Sequence, residues 1–133
     1  MTYALDTNTI ILYLRNDSAV MQKFDDSYLQ GHDFIIPKVV DYEMRRGFRI
    51  KSAPKKESAY DIFIQEFFVA ELDSAAWDKA IDIYAELYLK HFTVGDLDIL
   101  IAATCLANGY TLVTTNKKDF ENISDLDILD WTT

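Results

Sequence analysis

The sequence predicts a three-layer α/β/α sandwich built on a central, mainly parallel sheet of four to five strands. Short runs of β-forming residues alternate along the chain with longer segments whose apolar residues recur at helical spacing. Half of the 133 residues are apolar, and only two prolines and four glycines interrupt these segments. Strands that alternate with helices pair in parallel and are covered on both faces, so we expect a single domain spanning residues 1–133.

The first half of the chain is predicted to contain two strands and four helices. The strands at Thr2–Leu5 and Asp33–Ile36 are short apolar runs, and Pro37 ends the second one. Ser18 is a favoured N-cap for the second helix, which Gly31 is placed to end. The apolar residues that mark the four helices are Ile10, Ile11 and Leu14, then Val20, Phe24 and Tyr28, then Val39, Val40 and Tyr42, then Tyr60, Phe63, Ile64 and Phe67.

The second half of the chain is predicted to contain three strands and two helices. Asp73 or Ser74 caps a long amphipathic helix whose apolar stripe is expected to be buried. The segment from Leu97 to Ala107 is apolar on almost every side, so we expect a buried helix that Gly109 ends. The predicted stripe of the long helix comprises Trp77, Ala80, Ile81, Tyr84 and Tyr88. The predicted strands are Phe68–Leu72, Tyr110–Thr114 and Leu126–Leu129.

The composition argues against several classes of protein. No basic leader followed by an apolar stretch comes after Met1, and no apolar run is long enough to cross a membrane. The single cysteine, Cys105, lies among apolar residues and cannot form an internal disulfide. We therefore expect a cytoplasmic globular domain that has no membrane partner.

The net charge of −9 argues against binding of nucleic acid by the molecule as a whole. The charge is uneven, however, because the segment from Arg45 to Lys56 holds six basic residues and no acid. A run of this kind is more often a solvated helix end than a binding site. If RNA does bind here, the contacting residues are expected to be Arg45, Arg46, Arg49 and Lys51.

Four acidic residues occupy positions at which parallel α/β proteins bind ligands. Asp6 directly follows the first strand, Glu43 lies on the helix after the second strand, and Asp119 comes just after the fourth. Asp98 begins the buried helix among apolar neighbours, where an unpaired carboxylate would be costly. Helix capping is an alternative explanation for Asp6, and the helix dipole is one for Asp98. Because strand ends meet at one edge of a parallel sheet, we expect the four side chains to lie close together.

A cluster of carboxylates of this kind indicates a site for a hard divalent cation. The carboxylates repel one another, so their pKa values stay raised until a cation neutralises them. Oxygen ligands favour Mg²⁺, for which Mn²⁺ can substitute, over zinc. An ion held in this way can activate a water molecule and stabilise charge on a phosphoryl oxygen. The pattern therefore favours hydrolysis of a phosphodiester bond.

Four segments carry these acids in a recognisable order: Leu5-Asp6-Thr7-Asn8, Tyr42-Glu43, Asp98-Ile99-Leu100-Ile101-Ala102-Ala103, and Gly109 followed by Leu112-Val113-Thr114-Thr115-Asn116-Lys117-Lys118-Asp119-Phe120. Together they resemble the PIN-domain nucleases, and most of all the VapC-type ribonuclease toxins of bacterial toxin–antitoxin pairs. The resemblance extends over nearly the whole chain, in the order and at the spacing usual in that family.

The resemblance implies a PIN-like fold and a Mg²⁺-dependent endoribonuclease that cuts RNA such as tRNA or mRNA. It makes Asp6, Glu43 and Asp98 the core catalytic and metal-binding acids. The fourth acid of the family stands either at Asn116 or at Asp119, and we favour Asp119 because Asn116 is an amide. The resemblance also implies a homodimer and an antitoxin whose peptide segment covers the active site. The other residues expected to line the site are Thr7, Asn8, Asp96, Thr115 and Asn116, with Asp96 as a cap or outer residue.

Three other functions compete with this interpretation. A phosphatase of the haloacid dehalogenase type also begins with an aspartate after the first strand, but it needs a second aspartate where Asn8 stands. A PIN-type nuclease that cuts DNA, or that processes RNA outside a toxin–antitoxin pair, would carry the same acids. A PIN-like module that only binds its ligand would be favoured by loss of an acid, yet all four are present.

Overall fold

The structure, a computed structural model, describes all of residues 1–133. One sheet of five strands forms its centre, and every neighbouring pair of strands is parallel. The strands are β1 (Thr2–Leu5), β2 (Asp33–Pro37), β3 (Phe68–Ala70), β4 (Thr111–Val113) and β5 (Ile128–Leu129). The strand order is β3-β2-β1-β4-β5, which confirms the predicted α/β sandwich with a parallel sheet.

Seven helices alternate with the strands and cover the sheet. They are α1 (Thr7–Leu14), α2 (Ser18–Leu29), α3 (Lys38–Lys51), α4 (Pro54–Ile64), α5 (Ser74–Leu89), α6 (Asp96–Asn108) and α7 (Lys117–Phe120). All of them except the short α7 correspond to predicted helices. None of the seven combines the length and apolar character that a membrane span requires.

The order of the strands creates a crevice at the centre of the sheet. After β1 the chain adds β2 and β3 on one side, and it later returns to place β4 and β5 on the other side. Parallel sheets bind ligands where the strand order reverses, beyond the carboxyl ends of the two strands concerned. In this molecule that point lies between β1 and β4, where Leu5 pairs with Val113.

The core covers both faces of the sheet. Neighbouring residues of a strand point to opposite faces, and the pairs Ala4–Leu5 and Leu112–Val113 are all at most 2% exposed. Helix α6 is buried over most of its surface, as its sequence predicts, through Ile101, Ala102 and Ala103 among others. Helix α3 contacts α1, α4 and α6, so it packs between helices that come from both the first and the second half of the chain.

The prediction for the apolar stripe of α5 was wrong in all but one residue. The large side chains of the predicted stripe are exposed by 50–69%, and only Ala80 is buried. The helix packs along α6 through a different and smaller set of side chains, which allows the two helices to approach closely. The buried residues are Ala76, Ala80, Ile83 and Leu87; the exposed residues of the predicted stripe are Trp77, Ile81, Tyr84 and Tyr88.

Several smaller predictions also differ from the structure. Asp17, rather than Ser18, caps α2, because its Oδ2 accepts a hydrogen bond from the Val20 N–H at 3.1 Å. Tyr28, expected on the buried face of α2, is 66% exposed. Helix α4 ends at Ile64, one turn before Phe67. Hydrogen bonding and burial determine where a helix begins and ends and which of its faces is covered. The spacing of apolar residues does not reveal either of them directly.

Candidate active site

Asp6 lies in the crevice between β1 and β4 and is only 3% exposed. Its Oδ1 accepts a hydrogen bond from the Thr7 N–H at 2.8 Å, and it is the N-cap residue of α1. Its Oδ2 accepts a hydrogen bond from the Thr114 hydroxyl at 2.6 Å. The two explanations offered for Asp6 are therefore compatible, since one carboxylate oxygen caps the helix while the other faces β4.

Thr114 is a buried residue of the site, whereas the sequence predicted Thr115 in this role. Its hydroxyl donates to Asp6 and accepts from the Asn116 N–H at 3.0 Å, so it links the end of β4 to the carboxylate. The register of the sheet could have revealed it. Leu5 pairs with Val113, so the residues that directly follow, Asp6 and Thr114, lie side by side.

Glu43 is held next to Asp6 by Thr7. The helix that carries Glu43, α3, begins directly after β2, which places this half-buried glutamate near the carboxyl end of the sheet. Its Oε1 accepts a hydrogen bond from the Thr7 hydroxyl at 3.1 Å. Thr7 therefore contacts two of the acids, one through its backbone N–H and the other through its side chain.

Asp98 lies in the first turn of α6 and is half-buried. Its pKa is raised to about 6, mainly by burial and then by the negative charges of Asp6, Asp119 and Glu43, in that order. Asp119 is exposed on the short helix α7, yet its charge acts on both Asp98 and Asp6. Asp98 is therefore within electrostatic range of the other three predicted acids at this end of the sheet.

Burial also raises the pKa values of Asp6 and Glu43. For Asp6, the hydrogen bonds from Thr114 and Thr7 oppose the effect of burial, while the charge of Asp119 adds to it. For Glu43, the Thr7 hydroxyl and the Arg46 charge oppose burial, while the charge of Asp6 adds to it. The cluster thus carries more negative charge than its surroundings compensate.

None of the four acids forms a salt bridge. Arg46, whose positive charge acts on Glu43, has its guanidinium 5.1 Å from the centre of the Tyr42 ring. We refer to Asp6, Glu43, Asp98 and Asp119 as the unpaired acid cluster. A bound cation would neutralise the excess negative charge of this cluster. The side-chain atoms that the cluster offers to such a cation are all carboxylate oxygens.

The spacing of the acids limits how a cation could bind here. The expectation that the four side chains lie close together is met only in part, because nowhere in the structure do three His, Cys, Asp or Glu side chains stand close enough together to hold a metal ion by themselves. This arrangement does not suit zinc, which is usually enclosed by three or four protein ligands. Carboxylate oxygens are ligands that Mg²⁺ prefers, and this ion retains several waters and typically takes only one or two carboxylates directly. Asp6 is the best-ordered ligand candidate, because hydrogen bonds fix both of its oxygens.

The remaining residues predicted to line the site occupy its edge. Asn8 lies exposed in the first turn of α1, and Thr115 and Asn116 are half-buried between β4 and α7. Asp96 is exposed as the first residue of α6, where Gly95 is the N-cap. Asp96 therefore does not cap the helix, although its charge lies at the favourable end of the helix dipole.

Two of the six cations in the basic segment, Arg45 and Arg49, are paired with acids of α3 and of the following helix. Arg45 contacts Asp61 at 2.7 Å and Asp41 at 3.1 Å, and Arg49 contacts Glu57 at 3.4 Å. These acids come from α3 itself and from α4, which is why the segment between them looks purely basic in the sequence. Of the four residues predicted to bind RNA, Arg46 and Lys51 form no salt bridge.

Comparisons with known proteins agree with this arrangement. Residues 3–126 match the family model for the PIN domain. The chain is 30% identical to ribonuclease VapC2 of Rickettsia felis and 30% identical to the tRNA(fMet)-specific endonuclease VapC of Salmonella typhimurium, in each case over 98% of both chains. Among solved structures, it superposes on the toxin–antitoxin complex VapBC2 of R. felis, bound to promoter DNA, with a TM-score of 0.91 and 25% identity, covering 98% of this chain and 99% of that one. The chain therefore belongs to the PIN-domain family, and to the VapC group within it.

Proposed function

We propose that this protein is a Mg²⁺-dependent endoribonuclease that acts in the cytoplasm as the toxin of a toxin–antitoxin pair. The observation that carries the proposal is the unpaired acid cluster, which gathers carboxylates from separate segments where the strand order reverses. The relatives named ribonuclease and tRNA(fMet)-specific endonuclease, which match over 98% of their length, support the reaction type.

The side chains around the cluster orient the acids for this reaction. Thr114 and the Thr7 N–H hold the Asp6 carboxylate in one position, and the Thr7 hydroxyl directs Glu43 towards the same space. Asp98 on α6 and Asp119 on α7 add further negative charge to that of Asp6 and Glu43. When bound here, Mg²⁺ or Mn²⁺ would lower the pKa of a coordinated water and stabilise charge on the phosphoryl oxygens.

The activity is tested by incubating the purified protein with RNA in the presence of Mg²⁺ or of EDTA. Cleavage with Mg²⁺ and its loss with EDTA are expected, because the carboxylates alone do not stabilise a negatively charged phosphate. DNA of the same sequence is the matched control, since cleavage of DNA in preference to RNA would support the alternative function. No cleavage of either polymer with Mg²⁺ or Mn²⁺ would contradict the proposal.

Initiator tRNA is the first substrate to test. The name of the S. typhimurium relative specifies that tRNA, and the two chains match over 98% of their lengths. Initiator tRNA, an elongator tRNA and an unstructured RNA should therefore be compared at equal concentration. Equal cleavage of all three would contradict specificity for initiator tRNA and leave a general ribonuclease.

We also propose that an antitoxin binds this protein, as the VapBC complexes among its structural relatives suggest. The candidate is a small protein with a DNA-binding domain encoded next to this one. Co-expression of the two, followed by purification and an RNA cleavage assay, is expected to yield an inactive complex. An active nuclease that purifies without the second protein would contradict this partnership.

The expected homodimer has a suitable surface in the exposed stripe of α5, formed by Trp77, Ile81, Tyr84 and Tyr88. These residues are spaced by four, three and four positions, as in the seam of a helix that pairs with another helix. A two-fold pairing of identical chains would bury the stripe of each against the other. Light scattering should show a dimer that Tyr84→Glu dissociates, while Tyr28→Glu, at a tyrosine on α2 that is at least as exposed, should not. A monomeric parent protein would contradict this assembly.

A further inference from the structure

A groove of about 380 Å³ extends away from the unpaired acid cluster between α1, α3 and α4. Thr7 and Glu43 line the end that meets the cluster. Ile11, Leu14 and Phe48 supply apolar surface along the groove. We call it the Gly47 groove, after the glycine of α3 that also lines it. A chain bound at the acid cluster would continue directly into this space.

Gly47 has no explanation in the packing of the protein itself. It lies inside α3, four residues before the helix ends, where a glycine costs about 1 kcal/mol relative to alanine. A Cβ built on it would meet no heavy atom within 4 Å, and its φ requires no glycine. No neighbouring element therefore needs the missing side chain. The absence of the side chain instead keeps the groove open along α3.

Positive charges surround the apolar surface of this groove. Arg15, Lys51 and Lys56 line it, and all three are exposed. None of them forms a salt bridge, although the protein as a whole carries a charge of −9. A purely apolar peptide would leave these charges without partners. A strand of nucleic acid would use both features, with its phosphates near the cations and a base against the apolar surface.

We propose that the Gly47 groove binds a nucleotide of single-stranded RNA next to the bond that is cleaved. This inference rests on the proposed ribonuclease function and adds a substrate-binding subsite to it. The Phe48 ring supplies an aromatic surface for the base, while Arg15, Lys51 and Lys56 contact the neighbouring phosphates. The groove, rather than the acid cluster, then determines how tightly RNA is held on this side of the cleavage point.

Filling the groove at Gly47 tests this proposal without touching the acids. A Cβ at position 47 meets no heavy atom within 4 Å, so the side chain of Gly47→Leu can extend into the groove, and Gly47→Ala is the graded comparison because its methyl group fills less of the space. Both substitutions should favour the helix. We expect Gly47→Leu to raise KM for RNA at least about fivefold, the lower end of the effect of losing one stacked base, with kcat unchanged. Gly47→Ala should raise KM by a smaller factor, because its methyl group fills less of the groove.

The cations are tested by the salt dependence of binding. The probe is a short, fluorescein-labelled single-stranded RNA of mixed sequence, measured by anisotropy in EDTA so that it is not cleaved. Replacing Arg15, Lys51 and Lys56 with Gln should reduce the slope of log affinity against log salt by about 2, at roughly 0.7 per lost phosphate contact. The control replaces Lys23, Lys79 and Lys90, which lie outside the groove, and removes the same charge. It should leave the slope unchanged.

The outcomes separate this inference from the proposed function. If the parent protein cleaves RNA and Gly47→Leu does so with an unchanged KM, the groove does not bind substrate although the nuclease function stands. If Gly47→Leu instead prevents binding of the antitoxin and leaves RNA cleavage intact, the groove belongs to the protein partner and the proposal is overturned. A parent protein that cleaves no RNA contradicts the proposed function itself.

Discussion

Helix α3 carries two acids, Asp41 and Glu43, that are separated by one residue and have opposite surroundings. Asp41 is 5% exposed and receives hydrogen bonds from the Tyr60 hydroxyl at 2.7 Å, from Arg45 at 3.1 Å and from Lys38 at 3.3 Å. Glu43 receives a single hydrogen bond, from the Thr7 hydroxyl, and faces other carboxylates. The first acid is fully compensated within the protein, and the second is not.

The difference shows how the fold separates stability from function. Asp41 and Arg45 belong to a paired acid cluster with Glu57 and Asp61, which fastens α3 to α4. Burial and the bond to Asp41 raise the pKa of the Tyr60 hydroxyl, so this group remains a donor. The unpaired acid cluster gains nothing of this kind and repels itself. A charge group without internal partners, placed in a crevice, is suited to bind a ligand.

The largest predicted effect is the loss of catalysis on neutralising the unpaired acid cluster. Asp6→Asn keeps the shape of the side chain but removes the charge that would hold the metal. We expect RNA cleavage to fall by more than about a hundredfold, since even the supporting residues of metal sites cost up to that much. Circular dichroism and the melting temperature should show an intact fold. Cleavage at the parent rate would contradict the assigned role of Asp6.

A substitution in the paired acid cluster should lower the stability of the fold and leave the rate of RNA cleavage unchanged. Asp41→Ala leaves the Tyr60 hydroxyl and the Arg45 guanidinium without their buried acceptor. We expect urea denaturation to show that the free energy of unfolding falls by about 2–4 kcal/mol, which is typical of removing one partner of a buried polar pair. At temperatures where the variant is folded, its kcat should match that of the parent. A large loss of kcat in the folded variant would show that the two clusters are not separate.

A smaller effect is expected from removing the hydroxyl that supports Asp6. Thr114→Val preserves the volume of the side chain but removes a hydrogen bond that lowers the pKa of Asp6. The pKa of Asp6 should rise, so the acidic limb of the pH–rate profile should move to higher pH. Activity near neutral pH should fall by about tenfold. Thr114→Ser retains the hydroxyl and should restore the parent profile; a shift equal to that of the valine variant would contradict the hydrogen-bonding role.

The smallest predicted effect is on stability and follows from the raised pKa of Asp98. Because the folded protein holds this proton more tightly than the unfolded chain, Asp98 contributes stability at low pH that is lost as the pH rises through about 6. Asp98→Asn removes this loss. The difference in melting temperature, variant minus parent, should therefore increase as the pH is raised from 4 to 7. The increase should be no more than about 4 °C, because solvent screens the half-exposed group. A constant difference across this range would contradict the raised pKa.

The fold and the acid positions were accessible from the sequence because both depend on local order along the chain. Short apolar runs followed by Asp6 or Asp119 mark strand ends, and the alternation of strands with helices implies a parallel sheet that gathers these ends at one edge. The position of an acid relative to a strand therefore carries much of the information about the site.

The features that the sequence did not reveal depend on contacts between distant segments. Thr114, rather than Thr115, reaches Asp6 because of the register between β1 and β4. Arg45 is neutralised by Asp61, which lies beyond the basic run and is brought back by α4. Helix α5 has two apolar faces, and spacing alone does not determine which of them packs against α6.

Metal binding measured on variants of each acid cluster shows whether the unpaired acid cluster is the metal site. Calorimetric titration with Mn²⁺ should show binding to the parent protein and to Asp41→Asn, in which the unpaired acid cluster is intact. Asp6→Asn should lose most of this affinity, because the removed carboxylate is the one that both Thr7 and Thr114 hold in place. Equal Mn²⁺ affinity in Asp6→Asn and the parent, or loss of binding in Asp41→Asn alone, would contradict the account.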